Sequence, residues 1–350
     1  MAGPNDRKRY PRAFAAALLM LVTASWATPS LALDKVRISA FQGAFVALPL
    51  YVAQTFKLFE KHGIEAELIY GTGIQVTNIL MGGSSDFGAF AIEHGVMILG
   101  KGQDVRLLAV AQSAPPYGII VRNDVPTPNK DKPYPEMIKD LKGLKIGITT
   151  VGAGTDTALR FLLKQAGLSP NDVKIVPVGG QAQQVAGIKN GLIDGAIAVE
   201  PAQSEAVNGM KIAKMVLDIQ GGQGPAMFTD YAYNGLWTTG SWVQKNPDKA
   251  KAVVAAIVDA ETMINDPGHT DEVFKVAADN MRGFDPVLLR AFIEKYRGIY
   301  QPVATPQQIT NVEQFLQESE LLKDPIPYEK VVATDVMPKE FPKAPGVPGK

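Results

Sequence analysis

The chain has no cysteine among its 350 residues, and this absence excludes several kinds of protein. Disulfide scaffolds, zinc–thiolate sites, iron–sulfur clusters, thiol nucleophiles and lipid anchors attached through cysteine all require that residue. The formal net charge is zero, whereas nucleic-acid-binding proteins usually carry a basic field, so we expect no nucleic-acid partner. The apolar fraction of 46% is ordinary for a globular chain, which excludes wholesale disorder.

The sequence also has few motifs that would support catalysis. It contains no G-x-S-x-G, no H-E-x-x-H and no Gly-Lys-Ser/Thr phosphate loop, and Val76 stands where a dinucleotide motif starting at Gly71 needs its third glycine. The three histidines are scattered, and His94 is compatible with both a ligand contact and an ordinary surface residue. We therefore predict no catalytic residue, no metal site, no cofactor and no enzyme activity.

Residues 1–32 have the layout of a secretory signal peptide. Four basic residues precede an apolar run over 13–22, and Ser30 and Ala32 suit the −3 and −1 positions of a cleavage site. A cut after Ala27 is an alternative. The run is too short for the roughly 20 residues that span a bilayer. Without this leader the chain keeps 31 basic and 34 acidic residues. We expect a soluble periplasmic protein with no lipid anchor.

The remaining chain predicts an α/β fold in two related halves. Strand patterns at 36–40 and 64–70 alternate with a helical pattern at 48–60, and the same order restarts from residue 145. Such alternation predicts mostly parallel sheets flanked by helices. Pro115-Pro116 and the loop 221–225 are the predicted crossings between the halves, which would form a hinge.

A residue spacing that occurs once in each half supports the prediction that the two halves are related. Gly71, Gln75, Gly83 and Asp86 recur with identical spacing as Gly179, Gln183, Gly191 and Asp194. Each set follows a strand, crosses a helix and ends at the next strand. We expect the second glycine of each set to adopt a positive φ after its helix, and the aspartate to bind backbone amides at a strand start.

Loops at the carboxyl ends of the predicted strands form the candidate binding site, because ligands of open α/β sheets bind beyond those ends. They offer aromatics, hydroxyls, amides and helix N-termini. The predicted ligand-binding residues are Phe41, Gln42, Phe45, Thr72, Gln75, Phe90, Glu93, Ser113, Thr150, Gly154, Thr155, Asp156, Gly180, Gln181 and Glu200.

The charge of the ligand stays open at this point. No lysine or arginine falls in these loops, so an anion would depend on helix amides and hydroxyl groups. A neutral or donor-bearing ligand, such as an N-heterocycle or amine, would use Glu93, Asp156 and Glu200. Asp156 and Glu200 are equally compatible with charges that satisfy the dipole at a helix N-terminus.

Several segments together resemble the periplasmic solute-binding proteins of nitrate/sulfonate/taurine-type ABC importers, which share their fold with thiamine-precursor-binding proteins. The resemblance covers roughly residues 35–265. It is carried by PLYVA (49–53), FEKHGI (59–64), the stretch 71–90 ending in GGSSDFGAF, DLKGLKIG (140–147), NGLIDGA (190–196) and Glu200-Pro201. It implies the two-lobed type 2 periplasmic-binding-protein fold with the ligand cleft between the lobes.

The resemblance implies an extracytoplasmic component of an ABC importer. The protein would capture a small organic solute of the sulfonate, carboxylate or N-heterocycle class by closure of its lobes, and deliver it to the inner-membrane permease as a monomer. Lobe 1 would comprise 33–116 and 231–350, including helical C-terminal segments and a Pro/Lys-rich tail, and lobe 2 would comprise 117–230. Presentation of the solute to a membrane sensor is an alternative. An enzyme similar to thiamine-pyrimidine synthases is a weaker one, because that activity needs a cysteine-rich motif.

Overall fold

Strands and helices alternate along the chain in the computed structural model, which describes residues 1, 3 and 32–341. The predicted signal peptide and the end of the C-terminal tail thus fall almost wholly outside the described residues. The strands are β1 (Asp34–Phe41), β2 (Ile64–Gly71), β3 (Phe87–Ala91), β4 (Val105–Gln112), β5 (Tyr117–Arg122), β6 (Lys145–Ile148), β7 (Lys174–Pro177), β8 (Gly195–Val199), β9 (Ala213–Asp218) and β10 (Asn234–Thr239). The helices are α1 (Leu48–Thr55), α2 (Leu58–Lys61), α3 (Gln75–Met81), α4 (Ile92–Gly100), α5 (Gly154–Gln165), α6 (Gln181–Lys189), α7 (Ala202–Ser204), α8 (Gly240–Lys245), α9 (Pro247–Asn265), α10 (Thr270–Asn280), α11 (Pro286–Tyr296), α12 (Pro306–Glu318) and α13 (Tyr328–Val331).

The strands form two five-stranded sheets with matching topology. The first has the order β2-β1-β3-β10-β4 and the second β7-β6-β8-β5-β9. In each, three neighbouring strands are parallel, and the strand that arrives from the other sheet, β10 or β5, is antiparallel to both of its neighbours. The α/β fold of two sheets flanked by helices is confirmed. The sheets are mixed because an arriving strand enters in the opposite direction.

The chain passes between the sheets twice. It leaves β4 and reaches β5 through residues 113–116, and it returns from β9 to β10 through residues 219–233. Of the helices after β10, α9 lies against α1 and α2, and the rings of Phe45 and Phe292 of α11 stack at 3.9 Å. In contrast, α12 also contacts the second half of the fold, where its Phe315 packs on Phe161 of α5. The exact lobe boundaries stay a prediction.

The spaced glycine and aspartate residues have the same role in both sheets. Gly83 and Gly191 have φ values of 73° and 67°, which an L side chain rarely adopts. Asp86 accepts a hydrogen bond from the amide of Arg37 at 2.8 Å, and Asp194 accepts one from the amide of Lys145 at the same distance. Each carboxylate therefore joins the start of its own strand to a backbone amide of the neighbouring strand, which lies within β1 for Asp86 and at the first residue of β6 for Asp194.

Hydrophobic side chains fill both faces of each sheet. Trp237 of β10 is fully buried and stacks on Phe90 of β3 with 5.7 Å between ring centroids. Gly95 of α4 allows this packing, because a Cβ at that position would lie 2.2 Å from the indole ring. Within the described part of the chain, every helix is too short or too polar to cross a membrane.

Candidate functional site

A cavity lies between the two sheets, at the carboxyl ends of their parallel strands. It holds about 530 Å³ of empty space when the solvent at its open mouth is included. Its walls come from Phe41, Gln42, Val46, Gly71, Thr72, Gly73, Ala91, His94 and Tyr233 on the side of the first sheet, and from Thr149, Ala153, Gly154, Thr155, Gly180, Gln181 and Val199 on the side of the second. No aspartate, glutamate, lysine or arginine belongs to this lining.

Two helices begin at the cavity wall. The residues before α5 and α6, Ala153 and Gly180, are extended and provide no side-chain cap. The first-turn amides of Gly154, Thr155 and Gln181 have no hydrogen-bond partner among the described residues. Free amides at a helix N-terminus and the positive end of its dipole favour a negatively charged or carbonyl group. The cavity is therefore electropositive without a cationic side chain.

Hydroxyl and amide side chains complete the polar wall. Thr155 Oγ1 lies 2.8 Å from Thr149 Oγ1 and accepts a hydrogen bond from the Thr149 amide at 3.0 Å, which joins the end of β6 to the start of α5. Opposite, Gln75 Oε1 accepts hydrogen bonds from the amide and hydroxyl of Thr72. Gln181 makes no hydrogen bond through its side chain to another described residue, so its amide remains available to a ligand.

His94 places an imidazole at the cavity. Its Nδ1 lies 3.2 Å from Thr77 Oγ1, while Nε2 is buried and has no partner among the described residues. Burial lowers the pKa of His94 to about 4, with the Gly152 carbonyl acting in the opposite direction. The ring is therefore neutral near pH 7.

A buried carboxyl group with three tyrosines lies behind the cavity wall. The Tyr117 hydroxyl donates to Glu93 Oε1 at 3.1 Å, and Tyr231 and Tyr233 also face Glu93. Burial raises the pKa of Glu93 to about 7, against the hydrogen bonds that favour the carboxylate. Gly154 separates this cluster from the cavity: a Cβ there would lie 2.3 Å from Tyr117 Oη and 2.9 Å from Glu93 Oε1.

The two sides of the cavity touch at its rim. The amide of Ile74, after β2, donates to Thr150 Oγ1, after β6, at 3.4 Å. Gly73 makes this approach possible, because a Cβ at that position would lie 2.2 Å from the same oxygen. The rim contact joins the loop after β2 in the first sheet to the loop after β6 in the second. The two sides of the cavity are therefore in contact at its mouth.

The structure brings seven of the predicted site residues to the cavity: Phe41, Gln42, Thr72, Gly154, Thr155, Gly180 and Gln181. Four others lie directly beside it. Gln75 holds the Thr72 loop, Thr150 forms the rim and Glu93 lies behind Gly154. Asp156 accepts a hydrogen bond from the Gly152 amide and pairs with Arg160 in the first turn of α5, so it acts as a helix N-terminal charge, one of the two predicted alternatives.

The other four predicted residues lie away from the cavity, and packing explains each case. Phe45 stacks on Phe292 and Phe90 stacks on Trp237, because both rings are turned toward apolar neighbours. The Ser113 hydroxyl donates to the Ile299 carbonyl at 2.9 Å. Glu200 accepts hydrogen bonds from the amide and hydroxyl of Ser204, and lies at a separate hollow with Asp218 and Lys295.

Sequence reasoning missed several lining residues. His94 had a usable signal, since it directly follows Glu93 at the start of a helix after a strand. Ala153 lies between the predicted residues Thr150 and Gly154, and Thr149 directly precedes Thr150, so both were next to residues that the sequence did single out. Tyr233 and Val46 had no local signal. Their positions depend on the path between the sheets and on the turn before α1.

Metal ligands are not clustered in the described part of the chain: no group of three or more His, Asp or Glu side chains there could hold an ion. The polar groups at the cavity are hydroxyls, amides, backbone N–H groups and one neutral imidazole. This donor set suits hydrogen bonding to an organic solute or small anion.

Comparisons with known proteins agree with this geometry. The model of the NMT1-like family matches residues 34–278. The nitrate/nitrite binding protein NrtA of Nostoc sp. is 28% identical over 159 residues, which are 45% of this chain and 34% of that protein. The 4-amino-5-hydroxymethyl-2-methylpyrimidine phosphate synthase of Schizosaccharomyces pombe is 28% identical over 234 residues, 64% of this chain and 63% of the enzyme. The chain spans less than two thirds of the length of either relative.

A solved structure with the same architecture is the periplasmic aliphatic sulphonate binding protein SsuA of Escherichia coli. It has a TM-score of 0.65 and 18% identity, and the match covers 87% of this chain and 98% of that one. At this identity the likeness concerns the fold alone. Because the family match runs from β1 into α10, this chain belongs to the NMT1-like family and has the two-sheet α/β fold of periplasmic binding proteins.

Proposed function

We propose that this protein is the extracytoplasmic substrate-binding component of an ABC importer and that it captures a small organic solute in the cavity between its sheets. The observation that carries the proposal is the cavity itself. Both sheets contribute to its walls, the first-turn amides of α5 and α6 lie at it, and no charged side chain belongs to its lining. The NrtA and SsuA relatives, which are named as binding proteins, support the same role.

The polar wall favours an anionic solute of the carboxylate or sulfonate class. Free N-terminal amides of α5 and α6 can bind its oxygens without a counter-ion, as helix N-termini commonly do. Phe41, Val46 and Val199 offer apolar contacts to the rest of the molecule. An N-heterocycle is the second candidate class, since the pyrimidine phosphate synthase is a relative and neutral Gln181 and His94 groups can bind ring nitrogens.

The proposed mechanism is capture by closure. The sheets with their helices act as lobes, the crossings 113–116 and 219–233 act as the hinge, and the contact between Ile74 and Thr150 closes the rim over the solute. The closed monomer would then dock on an inner-membrane permease after export to the periplasm. Delivery to a membrane sensor remains the alternative use of the same site.

We infer that the protein is not an enzyme. The pyrimidine phosphate synthase is a relative, but the cysteine-rich motif expected of that activity has no counterpart in a chain without cysteine. Incubation of the purified protein with a bound solute should return that solute unchanged. Conversion of the solute would overturn this part of the proposal.

Gln181 provides a direct test of the binding site. Thermal unfolding is measured with a panel of sulfonates, carboxylates, nitrate and pyrimidines, and hits are quantified by calorimetric titration. We expect Gln181→Ala to weaken binding about tenfold, which corresponds to the loss of one hydrogen bond of roughly 1–1.5 kcal/mol. The melting temperature without solute should stay unchanged, because the Gln181 side chain has no partner among the described residues.

Gln314→Ala is the matched control, since this exposed glutamine lies on α12, away from the cavity lining. It should bind the solute as the unchanged protein does. Equal affinity for both variants would contradict the placement of the site. A panel in which no solute stabilises the protein would contradict the binding function.

A further inference from the structure

Glu93 is a fully buried carboxyl group that the binding cavity does not use directly. It lies in the first turn of α4, where the Tyr117 hydroxyl donates to Oε1 at 3.1 Å and Oε2 has no partner among the described residues. The titratable groups that face it are Tyr117 of β5, and Tyr231 and Tyr233 from the segment before β10, with His94 beside it on α4. No positively charged side chain contributes to its pKa in the described chain.

The position of Glu93 links it to the cavity and to both passages between the sheets. Its Oε1 lies 2.9 Å from the Cβ position of Gly154, whose amide begins α5 at the cavity wall. Tyr117 immediately follows the first passage, and Tyr231 and Tyr233 end the second. A change of charge on Glu93 therefore acts directly on the helix N-terminus at which a solute would bind.

We propose that Glu93 determines the charge of the solute that the cavity accepts, because capture of an anion is coupled to the uptake of a proton by Glu93. The inference rests on the proposed solute-binding function and deepens it. When Glu93 carries a proton, the amides of α5 and α6 attract an anion without opposition. When Glu93 is ionised, its negative charge offsets that attraction inside a region shielded from water.

The pH range of this effect follows from the surroundings of Glu93. Burial raises its pKa to about 7, so the carboxyl group is close to half ionised at neutral pH. A bound anion raises this pKa further, so binding takes up a proton. His94 does not titrate in this range, because burial lowers its pKa to about 4. Affinity for an anion should hence fall above pH 7, by at most about tenfold per pH unit.

Calorimetric titration tests the proposal with nitrate, ethanesulfonate and propionate, none of which changes its charge between pH 6 and 8.5. Each titration is repeated in two buffers with different ionisation enthalpies, which gives the number of protons taken up. The unchanged protein should take up a substantial fraction of one proton per anion near pH 7.5. Glu93→Gln should take up none and should bind with an affinity independent of pH.

Two further variants make the test specific. Glu261→Gln removes another fully buried carboxyl group that lies in α9, outside the cavity lining, and should leave proton uptake unchanged. Tyr117→Phe removes the hydroxyl that stabilises the Glu93 carboxylate, so the pKa of Glu93 rises and the loss of affinity should begin at higher pH. This variant keeps the proposal testable if Glu93→Gln fails to fold.

The outcomes separate the two proposals. Anion binding without proton uptake, or with equal uptake in Glu93→Gln, would overturn the role of Glu93 and leave the binding function intact. The role of Glu93 would also be overturned if the loss of anion affinity in Tyr117→Phe began at the same pH as in the unchanged protein, or at a lower pH. Failure of every anion to bind at any pH would overturn the anion-binding function, and this inference with it.

Discussion

At the scale of single residues, the molecule buries carboxyl groups without counter-ions, and Glu261 is the simplest case. It lies in α9, and neither of its carboxylate oxygens has a hydrogen-bond partner in the described chain. Burial raises its pKa well above the ordinary value of 4.5. The folded protein therefore holds a proton that the unfolded chain releases. Below pH 4.5 Glu261 is protonated in both states and does not lower the free energy of unfolding. As pH rises from 4.5 toward the folded-state pKa, the free energy of unfolding decreases, because only the unfolded chain releases the proton.

We predict that Glu261→Gln makes the free energy of unfolding less dependent on pH. An amide cannot ionise, so the variant should lose a slope of up to about 1.4 kcal/mol per pH unit between pH 5 and pH 8. Urea unfolding at pH 5 and at pH 8 gives the free energy of unfolding at each pH, and the difference gives the slope. Glu67→Gln, on the exposed part of β2, is the control and should keep the slope of the unchanged protein. An identical slope in Glu261→Gln would mean that this carboxyl group keeps its ordinary pKa.

At the scale of elements, the sequence predicts those parts of the site whose cause is local. The repeated Gly-Gln-Gly-Asp spacing predicts matching strand–helix units, because positive φ and strand-start amides demand particular residue types. The start of α5 and of α6 is likewise readable from Gly154 and Gly180. Phe45 and Phe90 were misplaced because their neighbours, Phe292 and Trp237, are distant in sequence and only tertiary packing brings them together.

The rim of the cavity makes an element-scale prediction. Gly73→Ala places a Cβ against Thr150 Oγ1, so the loops after β2 and β6 cannot meet, and affinity for the captured solute should fall at least tenfold. Calorimetric titration measures this affinity.

Gly102→Ala is the control for Gly73→Ala, because it has the same positive-φ strain with no atom within 4 Å. It should lose stability and keep its affinity for the solute. Thr150→Ala added to Gly73→Ala should recover part of the binding, and a Gly73→Ala protein that binds normally would refute rim closure.

At the scale of the whole molecule, composition and strand–helix order predict the class of the fold, and they do so because parallel strands need helical connections. They do not predict the antiparallel entry of β5 and β10, which depends on how the chain passes between the sheets. The same passages place Tyr233 at the cavity and Tyr117 behind it, so the electrostatics of the site emerge only from the assembled molecule.

Native mass spectrometry tests the central claim, that the cavity holds one small solute, most directly. The protein is measured as purified and again after incubation with the solute panel. We predict a mass increase of one small molecule per chain. We also predict its absence in Gly154→Ala, where a new Cβ would displace the start of α5 from Tyr117 and Glu93. A spectrum that shows only the bare chain under all of these conditions, or equal occupancy in Gly154→Ala, would contradict the account.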